Sequence, residues 1–325
     1  MPHYPSRLVT AVTVVLVTGL LADARGQQLG ELYVEAMSET GQPVLNLGPR
    51  DFSVQDGEIA CEVLSAQLAT TPMRVALLVD NSGDLLPAGG AGIGAVRDGL
   101  NAFLDTLPRR HEIALVTIGG RVQSRRDFTT NREALKDAVR GISLGRGLGG
   151  GSTSLAGVRL LDGVREIWEG RFTGNEPWPV FVLVLNNGVE TSFTTSGAFE
   201  EFFQAPLAAG VQIHTVLVTH QEMRRVRGTL AGRFSRGASQ RRALGEFVRS
   251  LAEVTGGLFS TRDDPSELKE ALTTLATRMG THYDEMSTFY RVTVRCPESR
   301  GEGLFVGVSR LDVSLRLFPD RRLSP

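Results

Sequence analysis

Five consecutive apolar residues, at positions 75–79, run directly into Asp80. A strand buried on both faces of a parallel sheet has this pattern. Beyond it, oxygen-bearing side chains recur at alternate positions as Asp80, Ser82 and Asp84. Ligands of open α/β sheets sit in the crevice outside the carboxyl ends of the strands, so this loop is where a site is expected. Hard cations such as Mg²⁺ and Ca²⁺ take carboxylate and hydroxyl oxygens. An Asp-Asn-Ser-Gly run also makes an ordinary turn or helix cap, and the segment alone leaves both readings open.

Around this strand, apolar runs alternate with stripes of helical spacing. Strands are predicted over 111–118, 122–128, 178–185, 211–218 and 258–260. Helices are predicted over 93–107, from the N-cap Asn131, over 153–169, 197–209 and 240–254, and from Pro265 to about 279. Pro108 stops the first helix, and Thr255-Gly256-Gly257 reads as a helix C-cap. Residues 25–29 read as a short disordered lead. Residues 32–68 are β-like, with a hairpin signal at Asp56-Gly57, and β character returns over 289–296 and 304–317. The fold class is therefore α/β: a doubly wound, mostly parallel sheet with helices on both faces. A small β domain drawn from both termini flanks it. The expected boundaries are 30–70 and 287–320 for the two β segments and 73–282 for the α/β domain.

At 325 residues the chain has room for about two domains. A formal net charge of −1 argues against bulk-charge attraction to nucleic acid or to a membrane surface. Residues 1–7 are basic, 8–21 are apolar save three Thr and one Gly, and Ala22-Asp23-Ala24 is a small-x-small cleavage pattern. This is the form of a secretory signal peptide over 1–24. It predicts a secreted or periplasmic protein with no transmembrane segment after cleavage. The two cysteines, Cys61 and Cys296, lie in opposite end segments. They form either a disulfide, as an oxidising compartment favours, or two buried thiols.

Catalytic patterns do not assemble. Gly145-Arg146-Gly147-Leu148-Gly149-Gly150 fits a dinucleotide fingerprint but does not follow the first strand of a βαβ unit. Gly141-Ile142-Ser143-Leu144-Gly145 fits a nucleophile elbow but follows a helix rather than a strand. His214 sits within an apolar strand and reads as a core residue. Zinc spacing is missing. Residues 220–242 carry seven Arg against Glu222 and read as an insertion between strand and helix. Such a segment is either a solvated loop or a docking surface for an acidic partner or anionic headgroups.

Two later loops extend the oxygen pattern. Thr153 follows a glycine-rich stretch, and Asn186-Asn187-Gly188 follows the strand at 178–185. With these the chain resembles a von Willebrand factor A (VWA) domain. That family's metal-ion-dependent adhesion site uses Asp-x-Ser-x-Ser on one loop, a Thr on a second and an Asp on a third. Asp80, Ser82 and Thr153 match. Asp84 replaces the second Ser, and Asn187 stands where the family has Asp, so a carboxylate moves from the third loop to the first. The hairpin Asp51-Phe52-Ser53-Val54-Gln55-Asp56-Gly57, the segment ending Thr255-Gly256-Gly257 and the β tail from Tyr290 resemble a group of exported VWA proteins best known from acidobacteria. The resemblance implies a Rossmann-like VWA fold and a non-enzymatic protein-interaction or adhesion module. A divalent cation (Mg²⁺, or Ca²⁺ or Mn²⁺) would be held by Asp80, Ser82, Asp84, Thr153 and Asn187. An acidic side chain of a protein partner would complete its coordination. The alternative is a metal-independent scaffold that uses the Arg-rich 220–242 segment or the glycine-rich rim. Metal-assisted hydrolysis is disfavoured because no general base accompanies the oxygens.

Overall fold

A computed structural model describes residues 12–13, 21–22, 27–82, 89–143, 157–172, 178–219, 235–297 and 304–318. The chain divides into two units. One runs from Pro72 to Thr281, and the other joins the chain up to Thr71 with His282–Arg321.

The smaller unit is an antiparallel sheet. Its strands are β1 (Gln27–Ser38), β2 (Phe52–Asp56) and β3 (Ile59–Leu68) from the first half of the chain, and β10 (Tyr290–Pro297), β11 (Leu304–Val308) and β12 (Val313–Phe318) from the end. Their order is β11-β2-β3-β10-β1-β12; Val12–Thr13 and Leu21–Ala22, which the sequence assigns to a cleaved leader, pair with β11 and β1 as two-residue strands. Alternate residues of β10 (Tyr290, Val292, Val294, Cys296) point into an apolar core with Leu32, Val34, Phe52 and Val54, the period-two burial of a one-sided sheet. Tyr290 satisfies its hydroxyl inside that core. It accepts the Leu47 N–H at 2.9 Å and donates to the Val44 carbonyl at 3.0 Å. Arg295 pairs with Glu62 across β10 and β3, and one step further along Cys296 meets Cys61 in a disulfide, with Cα atoms 4.4 Å apart. A close, side-by-side pair in an antiparallel ladder has this separation.

The larger unit is a six-stranded sheet. It comprises β4 (Arg74–Val79), β5 (Glu112–Thr117), β6 (Gln123–Thr129), β7 (Pro179–Asn186), β8 (Gln212–Val218) and β9 (Phe259–Arg262). The order is β9-β8-β7-β4-β5-β6, parallel throughout except for β6, which returns antiparallel to β5. The connecting helices are α1 (Gly89–Thr106), α2 (Arg132–Arg140), α3 (Leu160–Arg171), α4 (Ser196–Ala208), α5 (Ser235–Val254) and α6 (Leu268–Met286). Residues of α3, α4 and α5 form one core with Ala76 and Leu78 of β4. Val75, Leu77 and Val79 point to the opposite face and are equally buried. The buried residues of α1, α2 and α6 lie outside the first core. On that side α1 and α6 pack so closely that a Cβ at Gly99 would lie 3.0 Å from Leu272. Local signals start and stop these helices. The Asn131 side chain accepts the Ala134 N–H, and Thr195 accepts that of Ala198. Gly256 takes a positive φ of 65° after α5, the left-handed conformation glycine adopts at low cost.

Several elements depart from the sequence expectation. β1 begins at Gln27, inside the expected disordered lead. Residues 304–317 form two strands separated by the turn before Val313. The 56–57 hairpin closes one residue later, through Gly57-Glu58, because Asp56 still pairs with Ile59. The last helix runs seven residues past Met279, since Tyr283 and Met286 continue its buried stripe. Among the described residues the helix expected from Thr153 begins at Leu160. Val158, read as a helical core position, instead bridges Gly119 on one side and Glu190 on the other. Its burial mimics a helical stripe because it lies three residues before Leu161.

Candidate functional site

The chain passes from β4 to β5 in one direction, then returns to place β7 on the other side of β4. The crevice between the carboxyl ends of β4 and β7 is thus the topological switch point, the usual ligand position in a doubly wound sheet. Asp80 and Asn186 stand there. Asp80 is 1% exposed. Its backbone N–H continues the ladder to the Val184 carbonyl at 2.8 Å. Its Oδ1 accepts the Ser82 N–H at 2.8 Å, closing a tight Asx turn. Its Oδ2 accepts the Asn186 N–H at 3.2 Å. The Asn186 side chain donates in return to the Asp80 carbonyl at 3.1 Å. The carboxylate is therefore fixed by the turn that follows β4 and by the end of β7.

Ser82 is fully buried, and its Oγ has no hydrogen-bond partner among the described residues. A buried hydroxyl left without a partner costs free energy, which makes Ser82 a candidate ligand-binding residue. Asn187 is half-buried, and its backbone N–H bonds the Val218 carbonyl at 2.9 Å. Asp84, Thr153, the glycine-rich rim at 144–156 and the Arg-rich segment at 220–234 lie outside the described residues. The structure thus brings Asp80 and Ser82 together directly and sets Asn187 one residue beyond the strand end that touches Asp80. Among the described residues no group of three or more His, Cys, Asp or Glu is arranged to hold a metal ion. The oxygens present, one carboxylate, one unpartnered hydroxyl and one carboxamide, fit a hard divalent cation better than a soft one.

Residues that local patterns do not reveal hold this edge in place. Asn81, between Asp80 and Ser82, turns the other way. Its Oδ1 accepts the Gly119 N–H at 3.1 Å, and its Nδ2 donates to the Ser143 carbonyl at 2.7 Å. Arg97 donates to the Ile142 carbonyl and Arg125 to that of Gly141. Three successive carbonyls, where the chain leaves α2 for the glycine-rich stretch, are therefore held by three side chains. Gly119 is required where it stands, because a Cβ there would lie 2.3 Å from the Ser82 nitrogen. Asn186 itself carries no motif signal, since Asn-Asn-Gly reads equally well as a turn.

The loop after β7 is tied to the start of α3. The Asp162 carboxylate accepts the Phe193 N–H at 3.0 Å, the Thr194 N–H at 3.0 Å and the Thr194 hydroxyl at 2.8 Å. It also accepts two bonds from Arg159. Glu190 accepts the Ser192 N–H at 2.7 Å and the Leu160 N–H at 3.1 Å. Burial pushes the Glu190 carboxyl up against the pull of those bonds. Burial also works to raise Asp162, but its donors outweigh it and hold that carboxyl below the usual range.

A doubly wound, mostly parallel sheet with an Asp-x-Ser turn at the carboxyl end of its first strand, at the switch point, is the arrangement that the resemblance to VWA domains implies. No family model and no curated protein sequence matches the chain. Among solved structures it is similar to a von Willebrand factor type A protein from Catenulispora acidiphila, at 10% identity and a TM-score of 0.48, covering 92% of this chain and 71% of that one. It is also similar to proximal thread matrix protein 1 from the mussel byssus, in a form with a zinc-occupied MIDAS motif, at 14% identity and a TM-score of 0.44. That match covers 64% of this chain, which spans about half the mussel protein (48%). BatB from Bacteroides thetaiotaomicron is similar at 12% identity and a TM-score of 0.42, over 64% of this chain and 99% of BatB.

Proposed function

We propose that this chain is an exported, non-enzymatic protein-interaction module that engages its partner through a divalent cation at the Asp80 crevice. The observation that carries this reading is the buried Ser82 hydroxyl, unpartnered among the described residues and placed beside a carboxylate held by its own turn and by the end of β7. Asp80, Ser82 and Asn187 would hold the cation, with Asp84 and Thr153 supplying further oxygens as the resemblance implies. Mg²⁺ suits such a set, and Ca²⁺ and Mn²⁺ are alternatives. When bound, the cation supplies a Lewis-acidic position that a partner's carboxylate can fill. Asp80 orients that position, and its two N–H bonds keep it from turning away. Export is supported by the leader pattern at 1–24 and by the disulfide, which persists in oxidising compartments. No helix among the described residues is long and apolar enough to cross a membrane.

A second reading is favoured by one observation: both oxygens of Asp80 already accept backbone N–H bonds. On that reading Asp80 is a structural brace, and the contact is made without metal by the glycine-rich rim or the Arg-rich 220–242 segment. Binding of a partner from the exported fraction, with and without chelator, separates the two. The metal reading expects release by chelator and recovery with Mg²⁺. Binding that survives chelator but falls steeply with salt supports the scaffold.

A further inference from the structure

Phe193 is 85% exposed, yet it is among the most firmly held residues of its loop. Its N–H bonds Asp162, and the neighbouring Thr194 bonds the same carboxylate twice. On the other side Ser192 donates its N–H to Glu190 and accepts the Asp162 N–H on its hydroxyl. The Arg159 guanidinium lies 4.2 Å from the centre of the Phe193 ring. Arg159 is itself pinned by its bonds to Asp162, with a side chain only 17% exposed. A single exposed apolar residue is ordinary. An exposed aromatic ring whose backbone is held by a buried carboxylate, and which stacks on an arginine bonded to that same carboxylate, is different, because part of its ordering cost is met before any partner arrives. Aromatic residues, Phe among them, are enriched in the cores of protein–protein interfaces.

Phe193 lies on the loop that leaves β7 and carries Asn187, on the carboxyl side of the strand that braces Asp80. The geometry points to Phe193, held on the loop that leaves β7, as an apolar anchor of the partner surface. The partner it fits is a protein segment that presents both a carboxylate and a bulky apolar side chain. The carboxylate goes to the crevice and the apolar side chain lies on the open face of the Phe193 ring. The carboxylate half of this inference rests on the proposed function. The apolar half rests on the Phe193–Arg159 stack alone.

A displayed library of random peptides, selected on the full chain in Mg²⁺, tests it. Selected peptides are expected to pair Asp or Glu with a Phe, Tyr, Trp, Leu or Ile. Phe193→Ala is expected to weaken them about tenfold or more, Phe193→Tyr to retain them, and the heat of metal binding to stay unchanged. A selection that returns no peptide dependent on Phe193, or binding to Phe193→Ala within twofold of the original, overturns the anchor and leaves the cation reading standing. Peptides that need Phe193 but survive both chelator and Asp80→Ala support the anchor and count against the cation.

Discussion

Asp80 and Asn186 hold each other across the switch point of the sheet. The Asn186 N–H reaches the Asp80 carboxylate at 3.2 Å, and its side chain reaches the Asp80 carbonyl at 3.1 Å. The reciprocal pair joins the ends of β4 and β7. It makes the position of the carboxylate a property of the sheet rather than of a loop.

Removing the Asn186 side chain should therefore loosen the crevice without emptying the core. Asn186→Ala deletes the donor to the buried Asp80 carbonyl and should cost about 1–2 kcal/mol. The measure is the midpoint of denaturant unfolding, with the slope unchanged. A midpoint equal to that of the parent chain would show that the pair does not brace the site.

Acid should weaken the larger unit through His111. Burial, aided by the charges of Arg110 and Arg132, pushes the His111 imidazole down to about 4. Its Nδ1 accepts the Met73 N–H at 3.1 Å, as a neutral ring can. The unfolded chain takes up the proton first, near pH 6.5. Stability from this group is complete above that pH and declines as the pH falls toward about 4, by about 3 kcal/mol at the bottom of the interval. Unfolding free energies between pH 7 and pH 5 should show this slope, and His111→Asn should flatten it. Equal slopes for the two proteins would contradict the assignment.

Reduction should act on the β unit. The Cys61–Cys296 bond joins residues 235 apart in sequence. Cross-links of this kind typically contribute about 2–5 kcal/mol. Thermal melting with and without reductant should show a lower transition once the bond is broken, and the Cys61→Ala, Cys296→Ala double variant should melt low in both conditions. A melting curve unmoved by reductant, with two thiols then titratable, would remove the disulfide from the stability account.

Much of this architecture could be read from residue pattern alone, for a physical reason. Central strands such as β4 and β7 are buried on both faces and so must be continuous apolar runs. Helix α2 advertises itself through Asn131 and the Leu135–Val139 stripe. The Asp80–Ser82 turn is legible because it closes on itself within three residues. The rest of the site depends on long-range backbone bonds that leave no local trace. Asn186 and Asn187 look alike in sequence, and only the end of the β7 ladder decides which one faces Asp80. Asn81 reads as a turn residue, although it ties the Asp80 loop to Gly119 and Ser143. Val158 has the spacing of a helix but is buried as a bridge between two loops. In each case the deciding partner lies dozens of residues away.

The central claim is that the Asp80 crevice takes a divalent cation, and calorimetric titration of Mg²⁺, Mn²⁺ and Ca²⁺ into the full chain tests it most directly. The account predicts saturable one-site binding of at least one of the three ions, lost in Asp80→Ala and strengthened in Asn187→Asp, which returns a carboxylate to the third loop. No saturable heat with any of the three, or binding that Asp80→Ala leaves intact, would contradict it.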